Sequence, residues 1–162
     1  MKDDTARLVK YSPEVAWLKI CKWCAYQERS QQEVRDKLYS YGLYGAEVED
    51  LIARLISGQF LNEERFAMAF AGGKFRQLGW GKVKIRQALK VKKVSDYCIR
   101  KSLESIDDKD YLSRLGELLE KKQKEVREKD PFKRRYKLFR YAISRGYETE
   151  LVSDFLGQGS GD

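Results

Sequence analysis

Histidine is absent from this 162-residue sequence, and only two prolines and three cysteines occur in it. Histidine is the usual side chain for proton transfer near neutral pH and the commonest metal ligand, so its absence argues against catalysis and a metal cofactor. No run of about 18 apolar residues occurs, as a membrane-spanning helix would need. We therefore expect a protein that is not an enzyme, has no cofactor and does not enter a membrane.

The three cysteines, Cys21, Cys24 and Cys98, are too few and too unevenly spaced for a disulfide framework. Cys21 and Cys24 have CxxC spacing, but a structural zinc site needs four ligands and no second pair or histidine is present. We interpret them as small apolar side chains on a helix, and predict no dependence on metal or thiol state. Free thiols, and a start that lacks the apolar centre of a secretory signal, predict a cytoplasmic protein.

Acidic residues are scarce in the middle of a chain that carries a net charge of +8. Residues 1–60 hold nine cations and nine anions, residues 61–106 hold eleven and four, and residues 107–162 hold thirteen and twelve. Such a concentration of positive charge favours association with an acidic partner.

Turn residues are sparse and good helix formers abundant, which predicts an all-α fold. Ser12-Pro13 is typical of a helix start, and Ser30 to Glu33 (SQQE) fits a capping box. Further starts are predicted at Asn62, Ser95, Asp108 and Asp130-Pro131. The seventh helix is expected to reach Lys129 and the ninth to end at Leu156. The residues predicted to face inward on the first and fourth helices are Val15, Leu18, Cys21, Ala25, Phe66, Ala69, Phe70 and Phe75.

A three-helix pattern recurs along the chain. Leu38 aligns with Leu89 at an offset of 51 and with Ala142 at an offset of 104. Because one such unit buries little surface alone, three stacked units are physically reasonable, although amphipathic helices can also align by chance. The pattern predicts an elongated monomer of three repeats between two tails. The predicted segments are an N-terminal tail (1–11), repeat 1 (12–57), repeat 2 (58–106), repeat 3 (107–156) and a flexible tail (157–162). Two further sets fall in register, namely Val34, Ile85 and Leu138, and Val48, Ile99 and Val152.

The segment GWGKVKIRQALKVKK, residues 79–93, carries six cations and no acid. On a helix, Lys82, Arg86, Lys90 and Lys93 form one stripe about 16 Å long, at about 1.5 Å per residue. A small phosphate would not need such a length, whereas a polyanion or an acidic groove would use it. The alternative is a solvated helix face, but solvated faces usually mix signs. The predicted binding residues are Lys74, Arg76, Lys82, Lys84, Arg86, Lys90, Lys92, Lys93, Arg100 and Lys101.

A second basic patch, on the eighth helix, is interleaved with aromatic residues. The aromatics could stack on bases, or they could be core residues surrounded by cations. A sequence-specific helix-turn-helix reader is disfavoured, because the third helices of repeats 1 and 3 are acidic and carboxylates are repelled by phosphates. The patch comprises Lys133, Arg134, Arg135, Lys137 and Arg140.

Three segments together resemble the RecX family: FLNEERFAMAF (60–70), GWGKVKIRQALKVKKV (79–94) and ERSQQEVRDKLYSYGL (28–43). The resemblance covers residues 14–106 well and the last third through repeat register. It implies about nine helices in three tandem units, no catalysis, and binding in the groove of the RecA–DNA filament, usually with inhibition of RecA. Asn62 stands where the family often has Asp, and both residues cap helices. The family signature falls on Glu64, Arg65, Phe66 and Ala67, and its basic helix on Lys82, Lys84, Arg86 and Lys90.

Three functional hypotheses follow from these patterns. The first is a modulator of RecA whose partners are the RecA filament and DNA. The second is a stand-alone, non-specific nucleic-acid-binding protein, which would bind DNA equally well without a recombinase. The third is an enzyme, which would need a convergent polar pocket that the sequence does not suggest.

Overall fold

The structure, a computed structural model, describes residues 10–158, and within that range it contains nine helices and no strand. This confirms the predicted all-α fold. The helices of repeat 1 are α1 (Pro13–Tyr26), α2 (Gln31–Ser40) and α3 (Ala46–Ser57). Those of repeat 2 are α4 (Glu63–Leu78), α5 (Lys82–Val91) and α6 (Asp96–Glu104), and those of repeat 3 are α7 (Asp108–Glu125), α8 (Pro131–Ser144) and α9 (Thr149–Gln158).

Short polar side chains begin most of the helices, as the sequence predicts. The Ser30 hydroxyl accepts the Glu33 N–H at 3.0 Å, and the Glu33 carboxylate accepts the Ser30 N–H at 3.1 Å, so the capping box is complete. Asn62 accepts the Arg65 N–H at 2.8 Å, and Asp130 accepts the Lys133 N–H at 3.0 Å. Each contact satisfies an N–H group that has no partner within its own helix.

The repeat register is confirmed by the backbone that follows each middle helix. Gly42, Lys93 and Gly146 occupy equivalent positions, and all three have positive φ angles, of 86°, 59° and 98°. The N–H of the next residue bonds in each case to the carbonyl five residues earlier, at 3.1–3.2 Å. The aligned side chains are buried in all three repeats: Val34, Ile85 and Leu138; Leu38, Leu89 and Ala142; Val48, Ile99 and Val152.

The buried apolar side chains of residues 10–158 form two clusters. One runs from Ala16 in α1 to Leu61, just after α3, and the other runs through repeats 2 and 3, from Phe66 to Val152. Polar contacts join the two parts. Arg65 pairs with Glu28 and donates to the Gln59 carbonyl at 3.1 Å, and Lys92 pairs with Glu33 at 2.7 Å.

Repeats 2 and 3 meet through two glycines. A Cβ built on Gly81 would lie 2.3 Å from the backbone of Gly146, and a Cβ on Gly146 would lie 2.3 Å from the Cβ of Lys84. The Gly81 N–H donates to the Arg145 carbonyl, and the Val83 N–H to the Gly146 carbonyl, both at 2.9 Å. The turn before α5 therefore packs backbone to backbone on the turn after α8.

The face predicted for α1 is wrong. The buried stripe is Ala16, Ile20 and Cys24, whereas Leu18 is 70% exposed. Val15 and Ala25 are also exposed, and Cys21 is only partly buried. Because α1 is apolar around most of its circumference, spacing alone does not select the inward face.

Two further predictions differ in detail. On α4, Ala69 is exposed, and Ala67 and Ala71 are buried instead. The seventh helix ends at Glu125 rather than Lys129, because Val126 is extended. Helix α9 continues through Gly157 to Gln158, two residues beyond its predicted end, and the rest of the predicted tail and residues 1–9 lie outside the described range.

Candidate polyanion-binding surface

The basic helix α5 has one buried stripe and two basic flanks. Ile85 and Leu89 are fully buried against α4 and α6. Residues one position after these, Arg86 and Lys90, turn to one side of the stripe, and residues one position before, such as Lys84, turn to the other. The ten predicted binding residues therefore do not form one continuous surface.

The first flank borders an open groove of about 540 Å³ between α5 and α6. Its lining includes four cations, two carboxylates and two buried apolar side chains that form the floor. Because the groove runs along α5, it fits the extended charge that the stripe predicts. The lining residues are Lys82, Arg86, Lys90, Arg100, Asp96, Glu104, Ile99 and Leu103.

Within residues 10–158, neither Arg86 nor Lys90 has a carboxylate at ion-pair distance. Both side chains are exposed. Arg100 pairs with Glu104 at 3.9 Å, and the Lys82 ammonium lies 4.0 Å from Asp108, which is almost fully exposed. These long surface contacts are weak, so they leave the groove electropositive.

The second flank joins α5 to α4 through aromatic rings. The ammonium groups of Lys84 and Lys74 lie 4.6 and 5.0 Å from the centre of the Trp80 ring. Lys92 lies 5.8 Å from the Phe70 ring and also forms the ion pair with Glu33. Since these cations already have partners in the protein, they are less available to an external anion than Arg86 and Lys90.

The remaining predicted residues of repeat 2 are exposed and more scattered. Arg76 lies in the last turn of α4, and Lys93 follows α5. The charged groups of Arg100 and Lys101 each lie 5.7 Å from the centre of the Tyr97 ring. They widen the positive field around the groove without completing a closed site.

Three consecutive N–H groups at the start of α5, those of Gly81, Lys82 and Val83, are already bonded within the protein. Its first N–H groups donate to the carbonyls of Arg145 and Gly146, and the Lys82 N–H donates to the Tyr111 hydroxyl at 2.9 Å. With these donors occupied, the side chains of α5 are better placed to bind an anion than its helix terminus. The sequence analysis did not predict these backbone bonds to Arg145 and Gly146, because they join residues more than 60 positions apart.

Two tyrosines, Tyr111 and Tyr147, also belong to the contact between the start of α5 and repeat 3. The Tyr111 hydroxyl donates to the Glu148 carboxylate, and the Tyr147 hydroxyl donates to the Gly79 carbonyl at 3.1 Å. Burial, reinforced by the bond to Glu148, raises the pKa of Tyr111, and burial raises the pKa of Tyr147 to about 12. Both phenols therefore stay neutral near pH 7 and act as structural hydrogen-bonding groups.

The patch predicted on α8 divides into structural and free cations. Arg134 donates to the Val126 carbonyl at 2.7 Å and also to the Gln123 and Glu128 carbonyls, where it closes the end of α7. Lys137 pairs with Glu128 at 3.5 Å. Lys133, Arg135 and Arg140 have no carboxylate partner in the described part of the chain.

The CxxC pair lies on α1, with one thiol buried and the other partly buried. Cys24 is buried, and burial raises its pKa to about 11, while burial also raises the pKa of Cys21. Both thiols are therefore protonated near neutral pH, which disfavours thiolate chemistry. Among the described residues, no group of three metal-ligating side chains occurs, and none of the described helices is long and apolar enough to cross a membrane.

Family models cover most of the chain. The model described as RecX, first three-helix domain, matches residues 16–55, that of the second matches residues 62–103, and that of the third matches residues 108–156. The fold is thus that of a tandem three-helix-repeat protein with a basic central repeat. The chain belongs to the RecX family.

Individual proteins agree with this assignment. The Regulatory protein RecX of Clostridium perfringens (strain 13 / Type A) is 32% identical, over 79% of this chain and 60% of the relative. The Regulatory protein RecX of Bacillus mycoides (strain KBAB4) is 24% identical, over 89% of this chain and 54% of the relative. The chain thus spans little more than half the length of these relatives. The crystal structure of RecX from Lactobacillus salivarius superposes with a TM-score of 0.82 at 20% identity, over 91% of this chain and 95% of that one, which shows a shared fold.

Proposed function

We propose that this protein modulates the RecA recombinase during homologous recombination, as an inhibitor that lies in the groove of the RecA–DNA filament. The observation that carries the proposal is the groove between α5 and α6, where Arg86 and Lys90 have no ion pair within the described residues. Family membership and the word "regulatory" in the relatives' names support this role. DNA repair and the SOS response are the processes in which such a modulator would act.

The charge distribution of the groove supports an extended anionic partner. Lys82, Arg86 and Lys90 follow one another at successive turns of α5, and Arg100 lies across the groove. A filament presents a long repeating anion, through DNA phosphates, through carboxylates of RecA, or both. The proposed partners are therefore the RecA filament and single- or double-stranded DNA, bound without sequence preference by a monomer of this protein.

The test is the DNA-dependent ATPase and strand-exchange activity of RecA with the wild-type protein and with the triple variant Lys82→Ala, Arg86→Ala, Lys90→Ala. We expect the wild type to inhibit both activities and the triple variant to lose at least about tenfold in potency. The matched control is Lys109→Ala, Lys121→Ala, Lys124→Ala, which removes the same charge from exposed positions of α7. Equal potency of the two triple variants would reject the groove as the site.

A stand-alone nucleic-acid-binding protein is the second candidate, favoured by the excess of seven positive charges in residues 61–106. If the groove binds duplex phosphates, removing three contacts should lower the slope of log affinity against log salt by roughly 2 to 3. If it binds RecA carboxylates, binding to free DNA should change little. Equal affinity for free and RecA-coated DNA would favour this second candidate.

A further inference from the structure

Helix α8 carries a row of aromatic residues on its outer surface. Phe132, Arg135, Tyr136 and Phe139 are spaced by three, one and three residues and therefore lie on one face. Phe132 is 80% exposed and Tyr136 is 54% exposed. We call this row the α8 aromatic face. Large aromatic side chains at this exposure are unfavourable in water, so the face is a candidate interaction surface.

The face borders a concave surface rather than a flat one. Phe132, Tyr136 and Phe139 form one wall of an opening of about 200 Å³, and Ser153 and Leu156 of α9 form the other. A second groove of about 480 Å³ adjoins it between α7 and α8, with Leu119 and Leu138 among its lining residues. Arg135 and Leu156 line both. The two openings could therefore receive successive apolar side chains of one bound segment.

The charge of α8 itself favours an acidic partner, and Glu120 is the one carboxylate among the described residues that line the two openings. Residues 131–145 contain six cations and no acid. Arg134, Lys137 and Arg145 contact groups of the protein itself, but Lys133 and Arg135 have no carboxylate partner in the described chain. A second copy of this protein is disfavoured as the occupant, because the protein carries a net charge of +8.

We propose that the α8 aromatic face binds an acidic amphipathic helix of a partner protein. The apolar side chains of that helix would enter the two openings beside Leu156, and its carboxylates would pair with Lys133 and Arg135. Helices bind in this way through residues spaced i, i+3, i+4 and i+7, which is the spacing of the face itself. The surface is distinct from the α5–α6 groove, so the inference does not depend on RecA modulation.

Single-stranded nucleic acid is the competing occupant, since bases stack on exposed aromatic rings. The concavity favours the helix. Phe139 and Leu156 line a hollow that a flat base stacked on Phe132 would leave empty, and the Tyr136 hydroxyl already accepts a hydrogen bond from Arg140 at 3.1 Å. Direct comparison of a peptide with an oligonucleotide distinguishes these two occupants by experiment.

The probe is a fluorescein-labelled peptide of about 18 residues, with leucines at i, i+3, i+4 and i+7, four glutamates beside them and alanines elsewhere, a composition that favours a helix. Fluorescence anisotropy with the full chain compares it with a scrambled peptide of equal composition and with an oligo(dT) strand. We expect the amphipathic peptide to bind at least about tenfold more tightly than its scrambled form. Equal binding of the two peptides, or binding of oligo(dT) alone, would overturn the proposal.

Two variants locate the site. Phe132→Ala with Tyr136→Ala should reduce binding of the amphipathic peptide at least about tenfold, and Arg135→Glu should reduce it further by charge repulsion. The matched control is Tyr26→Ala, which removes a ring that is 83% exposed at the end of α1. All four positions are exposed, so circular dichroism should show an unchanged fold. Unchanged peptide affinity in the double variant would contradict the assignment.

Discussion

Lys93 adopts a backbone conformation that repeats 1 and 3 give to glycine. Its φ angle is 59°, and the equivalent residues are Gly42 and Gly146. A side chain in the left-handed region costs roughly 1 to 2 kcal/mol. We therefore predict that Lys93→Gly raises the free energy of unfolding by about 0.5 to 1 kcal/mol, as measured by urea denaturation.

The control for this prediction is Lys90→Gly, which removes the same charge from within α5. Glycine in a helix interior costs about 1 kcal/mol, so this variant should be less stable than the wild type. A gain in stability in both variants would mean that relief of charge repulsion, rather than backbone conformation, is the cause.

The titration of Tyr147 makes the free energy of unfolding depend on pH in the alkaline range. Burial raises its pKa to about 12 in the folded protein, whereas an unfolded tyrosine titrates near 10. The folded state therefore holds the proton through a range in which the unfolded state loses it, so stability is complete below pH 10 and falls as the pH rises toward 12. We predict that Tyr147→Phe reduces this fall by up to about 1.4 kcal/mol per pH unit.

Denaturant unfolding at pH 9, 10 and 11 measures this slope. Tyr26→Phe is the control, because Tyr26 is 83% exposed and its replacement should leave the slope unchanged. The prediction is wrong if the stability of Tyr147→Phe and the wild type falls equally steeply between pH 10 and 11.

The burial of repeat-equivalent residues could be predicted from the sequence, but the roles of individual arginines could not. Val34, Ile85 and Leu138 are apolar at matching positions of three helices, and periodicity alone places them inside. Arg134 looks like any other cation of the basic patch. Its role depends on three backbone carbonyls near the end of α7, and their position follows from the tertiary fold.

At the scale of the element, the N-terminus and the buried stripe of α5 are fixed by contacts within the protein, and its two basic flanks are left for binding. Its N-terminal N–H groups are bonded to repeat 3, and its buried stripe packs on α4 and α6. The helical spacing placed Lys82, Arg86 and Lys90 on one stripe, and these three line the groove, whereas Lys93 of the same predicted stripe does not. It did not predict that Lys84 and Lys92 lie on the other flank beside Trp80 and Phe70, because those rings come from a neighbouring segment.

The close contact of α5 with the turn after α8 gives a prediction about two glycines. Gly81 has a negative φ angle, but an added Cβ would lie 2.3 Å from backbone atoms of Gly146. Gly45 has a φ angle of 64° and open space around it. We predict that Gly81→Ala costs about 3 kcal/mol of unfolding free energy, through overpacking, and that Gly45→Ala costs about 1 to 3 kcal/mol, through backbone strain.

Hydrogen exchange distinguishes these two effects. Gly81→Ala should lower protection across repeats 2 and 3 together, because it separates the turn before α5 from the carbonyls of Arg145 and Gly146. Gly45→Ala should lower protection within repeat 1. Full protection of α8 and α9 in Gly81→Ala would contradict the view that this contact holds repeat 3 in place.

At the scale of the whole molecule, positive charge and connectivity are both uneven. The excess of cations lies in repeat 2, which is also the repeat that contacts both others. The repeat register followed from the sequence, whereas the unequal junctions did not, since one depends on a pair of glycines and the other on dispersed ion pairs. The elongated shape and the monomeric state stay predictions. Small-angle scattering tests both, because a compact domain of this length has a radius of gyration of roughly 15 Å and the forward scattering gives the molecular mass.

The separate core of repeat 1 predicts that the protein unfolds in two steps. Residues from Ala16 to Leu61 form a cluster of their own, and among the described residues the ion pairs Arg65–Glu28 and Lys92–Glu33 link it to the rest. Partly exposed ion pairs of this kind contribute on the order of 1 kcal/mol each, which is too little to make the whole chain cooperative. Hydrogen exchange in increasing urea should therefore show repeat 1 opening apart from repeats 2 and 3.

Two equivalent leucines test this directly. Leu38 and Leu89 occupy the same register position, and both are fully buried. Replacing either with alanine should cost about 2 to 5 kcal/mol. Leu38→Ala should lower the opening free energy of residues 13–57 only, and Leu89→Ala should lower that of residues 63–158 only. If either variant lowered protection equally in all three repeats, the ion pairs at the first junction would be coupling the two cores into one cooperative unit.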